Sequence, residues 1–184
     1  MNILDKIRYF DYFISQIIGL NTSTEITPSQ VLSAVSKYKL SKLKLLKLLF
    51  FASVVNVDGK YLLDDVFDKF YAMPYGPVES DVYDHISMVT NYAIDNRSIC
   101  LRNPGSVISY NESFSKEICQ RISESVKKLY DINPSLFTMS SFDLVELSHK
   151  ADSWRIVYSA AQRQGKFSLY MPHEIIKSTT VYFK

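Results

Sequence analysis

Three histidines, two cysteines, five glycines and one tryptophan in 184 residues leave this chain poor in the residues that catalysis and metal binding usually recruit. His85, His149 and His173 stand apart, with no His-Glu-x-x-His, no Cys-x-x-Cys, no glycine-rich phosphate loop and no Gly-x-Ser-x-Gly elbow. Cys100 and Cys119 lack metal-like spacing and read as free thiols in a reducing compartment. Charge is nearly balanced, 21 Lys and Arg against 19 Asp and Glu, and a net +2 gives no global field favouring nucleic acid or a membrane surface. No apolar window approaches the roughly 20 residues that span a bilayer. Asp5, Lys6, Arg8 and Asp11 interrupt any leader-like run at the start. A soluble, cytoplasmic protein without membrane contact is expected. There is no internal repeat and no low-complexity block.

With 47% hydrophobic residues, the chain can bury a core in one domain. Ile3, Ile7, Phe10, Ile14 and Ile17 recur at helical spacing and predict an amphipathic helix ending at Gly19. Asn21 to Glu25 reads as a linker. Thr27-Pro28-Ser29-Gln30 has the form of a capping box opening a short helix to about Lys37. From Lys42 to Val57 apolar residues occupy nearly every face, as in a helix buried at a bundle's centre. Val78, Val82, Ile86 and Val89 predict a helix from Pro77 to about Thr90. Ser98 to Leu101 and Val107 to Tyr110, either side of Asn103-Pro104-Gly105, suggest a hairpin. Phe114, Ile118, Ile122, Val126 and Tyr130 step by four along a further helix broken at Asn133-Pro134. Ser140 and Asp152 offer caps for the next two helices, and Pro172 starts a last one. The expectation is a mainly α (α+β), nearly all-α, single-domain helical bundle with a buried central helix and a small β-hairpin.

Two short signatures and a lysine- and leucine-rich run carry the rest of the information. The signatures are Tyr75-Gly76-Pro77-Val78 running on to Tyr83, and Leu144-Val145-Glu146-Leu147-Ser148-His149 followed by Trp154. The run is Lys42 to Ala52, upstream of both. In this order and spacing the three resemble the Panacea domain, the phage-associated family of SocA-like antitoxins and proteolytic adapters. The resemblance extends from about Ser41 to the Tyr182-Phe183 tail. Met73 and Ser153 stand where that family usually has tryptophan and proline. The resemblance implies an antitoxin that neutralises a cognate protein toxin by direct binding or by delivering it to a cytosolic AAA+ protease. It divides the chain into an N-terminal helix and linker, 1–26, and a Panacea-like domain, 27–184.

Candidate contact residues are Tyr75, Gly76, Pro77, Val78, Tyr83, His149, Trp154, Lys44 and Lys47, with no cofactor or metal expected. Tyr61, Tyr71, Tyr75 and Tyr83 surround the Gly-Pro turn and can furnish an aromatic surface. His149, at a helix end, either caps its helix or hydrogen-bonds across the turn to position Trp154, or else touches a partner. Lys37, Lys39, Lys42, Lys44 and Lys47 read first as a solvated helix start and second as a basic patch for phosphate. The alternative class is a hydrolase or metal-dependent enzyme using His149 or the Asp81 and His85 pair, which lie four apart on one helical face. The stretch Asn56 to Asp65 mimics a calcium loop, but Val54 replaces its first carboxylate.

Overall fold

The computed structural model describes residues 1–20, 25–110, 114–178 and 183. The Asn21 to Thr24 part of the expected linker and Tyr182 lie outside them. Among the described residues there are eight α-helices and seven short strands, so the chain is mainly α but not all-α.

Helix α1 (Ile3–Ile18) starts where the Asn2 side chain accepts from the Asp5 amide, and it turns Phe10, Phe13, Ile14 and Ile17 into the core with no exposed surface. Its apolar stripe packs against the helices formed by Pro28–Tyr38, Ser80–His85 and Lys116–Ile132. β1 (Glu25–Ile26) follows, then α2 (Pro28–Tyr38), which opens on the expected capping box: Gln30 N donates to Thr27 Oγ1 and Thr27 N to Gln30 Oε1. α3 (Lys42–Ser53) is capped by Ser41, and every residue from Lys44 to Ser53 is buried. It ends before Val57, and the chain then turns through Asp58-Gly59, bridged between Val57 and Lys60.

The segment around Gly76 departs from the helix read in the sequence. β2 (Phe70–Met73) and β3 (Gly76–Glu79) form a tight antiparallel hairpin in which Tyr71 faces Val78 and Ala72 faces Pro77. Pro77 therefore lies in a strand rather than at a helix start, and the helix proper, α4, covers only Ser80–His85. The misreading has a physical origin, since Val78 and Val82 share the spacing of one helical stripe yet are buried by different elements. The strand tolerates proline here. Ser80 N donates to Lys69 O, and alternation along the ladder then leaves Pro77 at a position where no amide donor is required and its carbonyl points away from β2.

The second hairpin also differs. β5 (Ile99–Leu101) pairs with β4 (Tyr92–Ile94), not with the 107–110 piece, because the Asp95 carboxylate accepts from Arg97 N and Ser98 N and closes a shorter turn. β6 (Ile108–Ser109) returns to pair with β1. α5 (Lys116–Ile132) ends at Asn133, and α6 (Ser141–His149) begins on a Ser140–Asp143 capping box. α7 (Asp152–Arg163) has Ala151 at its N-cap position with no side-chain cap, so Asp152 sits inside its first turn, paired with Arg155 rather than capping. β7 (Leu169–Tyr170) completes the order β3-β2-β7, and α8 (His173–Lys177) follows Pro172.

One buried charge fastens α1 to this frame. Lys6 has no exposed surface, and its Nζ lies 2.6 Å from Asp68, 2.7 Å from Glu79 and 2.8 Å from Asp81. Burial alone works against the ammonium, but the three carboxylates outweigh it and raise the Lys6 pKa. Replacing Lys6 by Met leaves Glu79 buried without a counter-charge, and we expect a loss of about 3–5 kcal/mol, read by urea denaturation; an unchanged midpoint would show that the cluster adds nothing.

Candidate functional site

The three sequence signatures meet at the β2–β3 hairpin. Strand β3 passes between α3 and α6, and it fits because Gly76 has no side chain. A Cβ at Gly76 would overlap Ser148 Oγ and come within 2.9 Å of Lys47 Nζ, and its φ of +92° is one that glycine favours. Lys47 Nζ donates to the Pro77 carbonyl at 2.8 Å, the carbonyl that the strand ladder turns outward. Ser148, fully buried, donates to Val145 O within its own helix. The hairpin is thus seated by one run, capped by another and shaped by the third.

His149 closes the other side. Its ring stacks on Trp154 at 3.9 Å between centroids, tilted by 11°, and Trp154 stacks in turn on Tyr158 at 4.9 Å. Trp154 Nε1 donates to Met73 O at 2.9 Å, holding the hairpin at its turn. Burial lowers the His149 pKa; Glu146 opposes that, Lys47 adds to it, and the Pro74 carbonyl opposes it. A histidine clasped between a turn and an indole is a wall of the site, and no acid or nucleophile is hydrogen-bonded to it among the described residues.

Most of the sequence-selected residues therefore build the site from beneath. Gly76, Pro77 and Val78 are buried, Trp154 is nearly so, and Lys47 and Lys44 have no exposed surface. The lysine run is not a solvated helix start: Lys44 turns inward to the carbonyls of Tyr38 and Met139, and burial pushes its pKa down to about 8. Lys42 alone of that helix's lysines reaches outward, with Nζ 4.0 Å from the centre of the Tyr83 ring. Tyr75 and Tyr83 stand out from this scaffold, 61% and 42% exposed. Tyr61 and Tyr71 do not join them, since Tyr61 lies under the Lys177 ammonium and Tyr71 packs edge-on against Tyr170.

Sequence reasoning missed two participants. Phe142, 66% exposed, is the second residue of α6, whose Ser141 hydroxyl is 3.1 Å from that of Ser41, the residue before Lys42. Nothing in its spacing marks it. The hairpin itself had a signal, Phe70-Tyr71-Ala72-Met73 before a two-residue Pro74-Tyr75 turn. The proposed Asp81 and His85 pair does not assemble: the Asp81 carboxylate faces Lys6 and Lys69, and His85 Nδ1 lies 2.9 Å from the Asp81 backbone carbonyl. Among the described residues no group of three or more His, Cys, Asp or Glu is placed to hold a metal ion.

Residues 45–155, more than half of the chain, match the family model described as Antitoxin SocA-like, Panacea domain. The chain belongs to the SocA-like Panacea family. Comparisons with curated proteins and with solved structures gave no match. The matched stretch opens at α3 just before Lys47 and closes just after Trp154, so it takes in the residues of the three signatures that hold the hairpin. Membership supports a general antitoxin role. Among the described residues, no helix of this Panacea domain is long and apolar enough to cross a membrane.

Two substitutions separate seat from wall. Gly76→Ala adds a Cβ where none fits and strains the backbone, and a cost of at least about 2 kcal/mol is expected in thermal unfolding. His149→Ala removes one ring of the stack and should cost about 1 kcal/mol, with the far-ultraviolet circular dichroism unchanged. A Gly76→Ala protein as stable as the parent would contradict the close approach of β3 to α6.

Proposed function

We propose that this protein is an antitoxin that neutralises a cognate protein toxin by holding it against its exposed rings, Tyr75, Tyr83 and Phe142. The observation that carries the reading is a division of labour at the converged motifs. Gly76, Pro77 and Val78 are buried into α3 and α6, while Tyr75, the residue immediately before them, is 61% exposed. A folded core has no use for such a ring in water, and large aromatic side chains in rigid positions are what protein interfaces enrich. The Lys42 ammonium over the Tyr83 ring adds a cation beside that second ring. The action is stoichiometric: the toxin is occluded, or is held for delivery to a cytosolic AAA+ protease.

Co-expression with the product of the adjacent reading frame tests this. The parent chain should relieve that product's toxicity, and the Tyr75→Ala, Tyr83→Ala double variant should not, with binding weakened at least tenfold and the melting temperature held. A double variant that protects as well as the parent would remove the proposed face. Occlusion leaves the toxin's lifetime in the cell unchanged, whereas delivery shortens it.

A further inference from the structure

Lys47 sits at the foot of the hairpin in a place unsuited to an ammonium. It is fully buried, and among the described residues its hydrogen bond is to one acceptor, the Pro77 carbonyl. An ammonium offers three donors and needs a counter-charge or several acceptors when taken out of water. The elements packed against it supply neither. β3 presents the Gly76 and Pro77 backbone, and its one acid, Glu79, is committed to Lys6. α6 brings the Ser148 hydroxyl, already donating to Val145 O, and His149, whose own protonation would add a like charge. Glu146 acts on His149, and α7 contributes the uncharged Trp154 behind that imidazole. On α3 itself the neighbouring Lys44 turns to Tyr38 and Met139.

We propose that Lys47 is a protonation-dependent positioning residue: as a neutral amine it seats the β2–β3 hairpin on α3 through the Pro77 carbonyl, and as an ammonium it unseats the hairpin and withdraws Tyr75. The conformational step stands on the geometry alone, and its consequence for partner binding rests on the docking reading given above. Burial agrees with it, pushing the Lys47 pKa down to about 7 from an ordinary 10.5. Between those values the unfolded chain binds a proton that the folded chain does not, so stability climbs as pH rises from about 7 towards 10.5 and is flat in this respect below 7.

The single tryptophan is a built-in reporter, because Trp154 donates to Met73 O at the hairpin's turn. In the full chain, Trp154 emission should change with a midpoint near pH 7, the change should vanish in Lys47→Met, and it should persist in His149→Asn. Should Lys47→Met fail to fold, lysine ¹³Cε NMR of the parent protein, assigned with Lys47→Arg, decides by reading the titration directly. A Lys47 midpoint above about 9, within the ordinary range, overturns the proposal, as does a Trp154 transition that survives Lys47→Met or disappears in His149→Asn. Calorimetry with the adjacent-frame product at pH 6.5 and 8 adds the second arm. We expect at least fivefold weaker binding at the lower pH for the parent and none of that dependence for Lys47→Met. Binding that is flat with pH while Trp154 reports the transition overturns the proposed control of the face. No binding at either pH, with the transition present in the parent and absent from Lys47→Met, upholds the positioning step and defeats the docking reading instead.

Discussion

A backbone carbonyl meeting a buried amine is the contact around which this molecule is arranged. Pro77 O is free to accept because proline sits at a strand position whose carbonyl faces away from β2, and Lys47 reaches it because Gly76 leaves the space open. Each of the three residues needs the other two. A side chain at position 76 would close the gap, an ordinary strand residue at 77 would carry an unpaired amide into the same crevice, and a shorter residue at 47 would leave the carbonyl without a partner. Short sequence motifs drawn from three distant parts of the chain thus describe one small volume.

That arrangement explains why the site was only partly legible. Helices α1, α2, α3, α5 and α6 announced themselves through apolar periodicity or through caps that local chemistry determines, as at Thr27 and Ser140. The residues of the hairpin and its surroundings were identifiable as a group, but not their geometry. Val78 falls on a helical stripe with Val82, and only the pairing of Tyr71 with Val78 overrides that pattern. Lys44 and Lys47 looked like surface because lysine seldom lies fully buried, and a sequence gives no sign of which carbonyls will be waiting. Lys6 reads in the sequence only as a charge interrupting an apolar stretch; its partners, Asp68, Glu79 and Asp81, are too distant in sequence for any local rule to find.

A distinction follows between the residues that carry the family's motifs and those proposed to meet a partner. The matched residues that carry the motifs are mostly inside, where packing constrains them tightly. The rings that reach water, Tyr75, Tyr83 and Phe142, are mounted on that frame without contributing much to it. Such a division lets the exposed positions vary at little cost to folding, which suits the partner-holding role proposed above.

The Lys6 cluster bears on how the chain is made. Seventy-three residues separate Lys6 from Glu79, so on the ribosome α1 emerges well before the carboxylates that will receive its ammonium. Until they appear, the face bearing Phe10, Phe13, Ile14 and Ile17 has no finished surface to cover it. Nascent α1 is in that interval an adhesive segment, open to a chaperone or to the same helix on a neighbouring polysome.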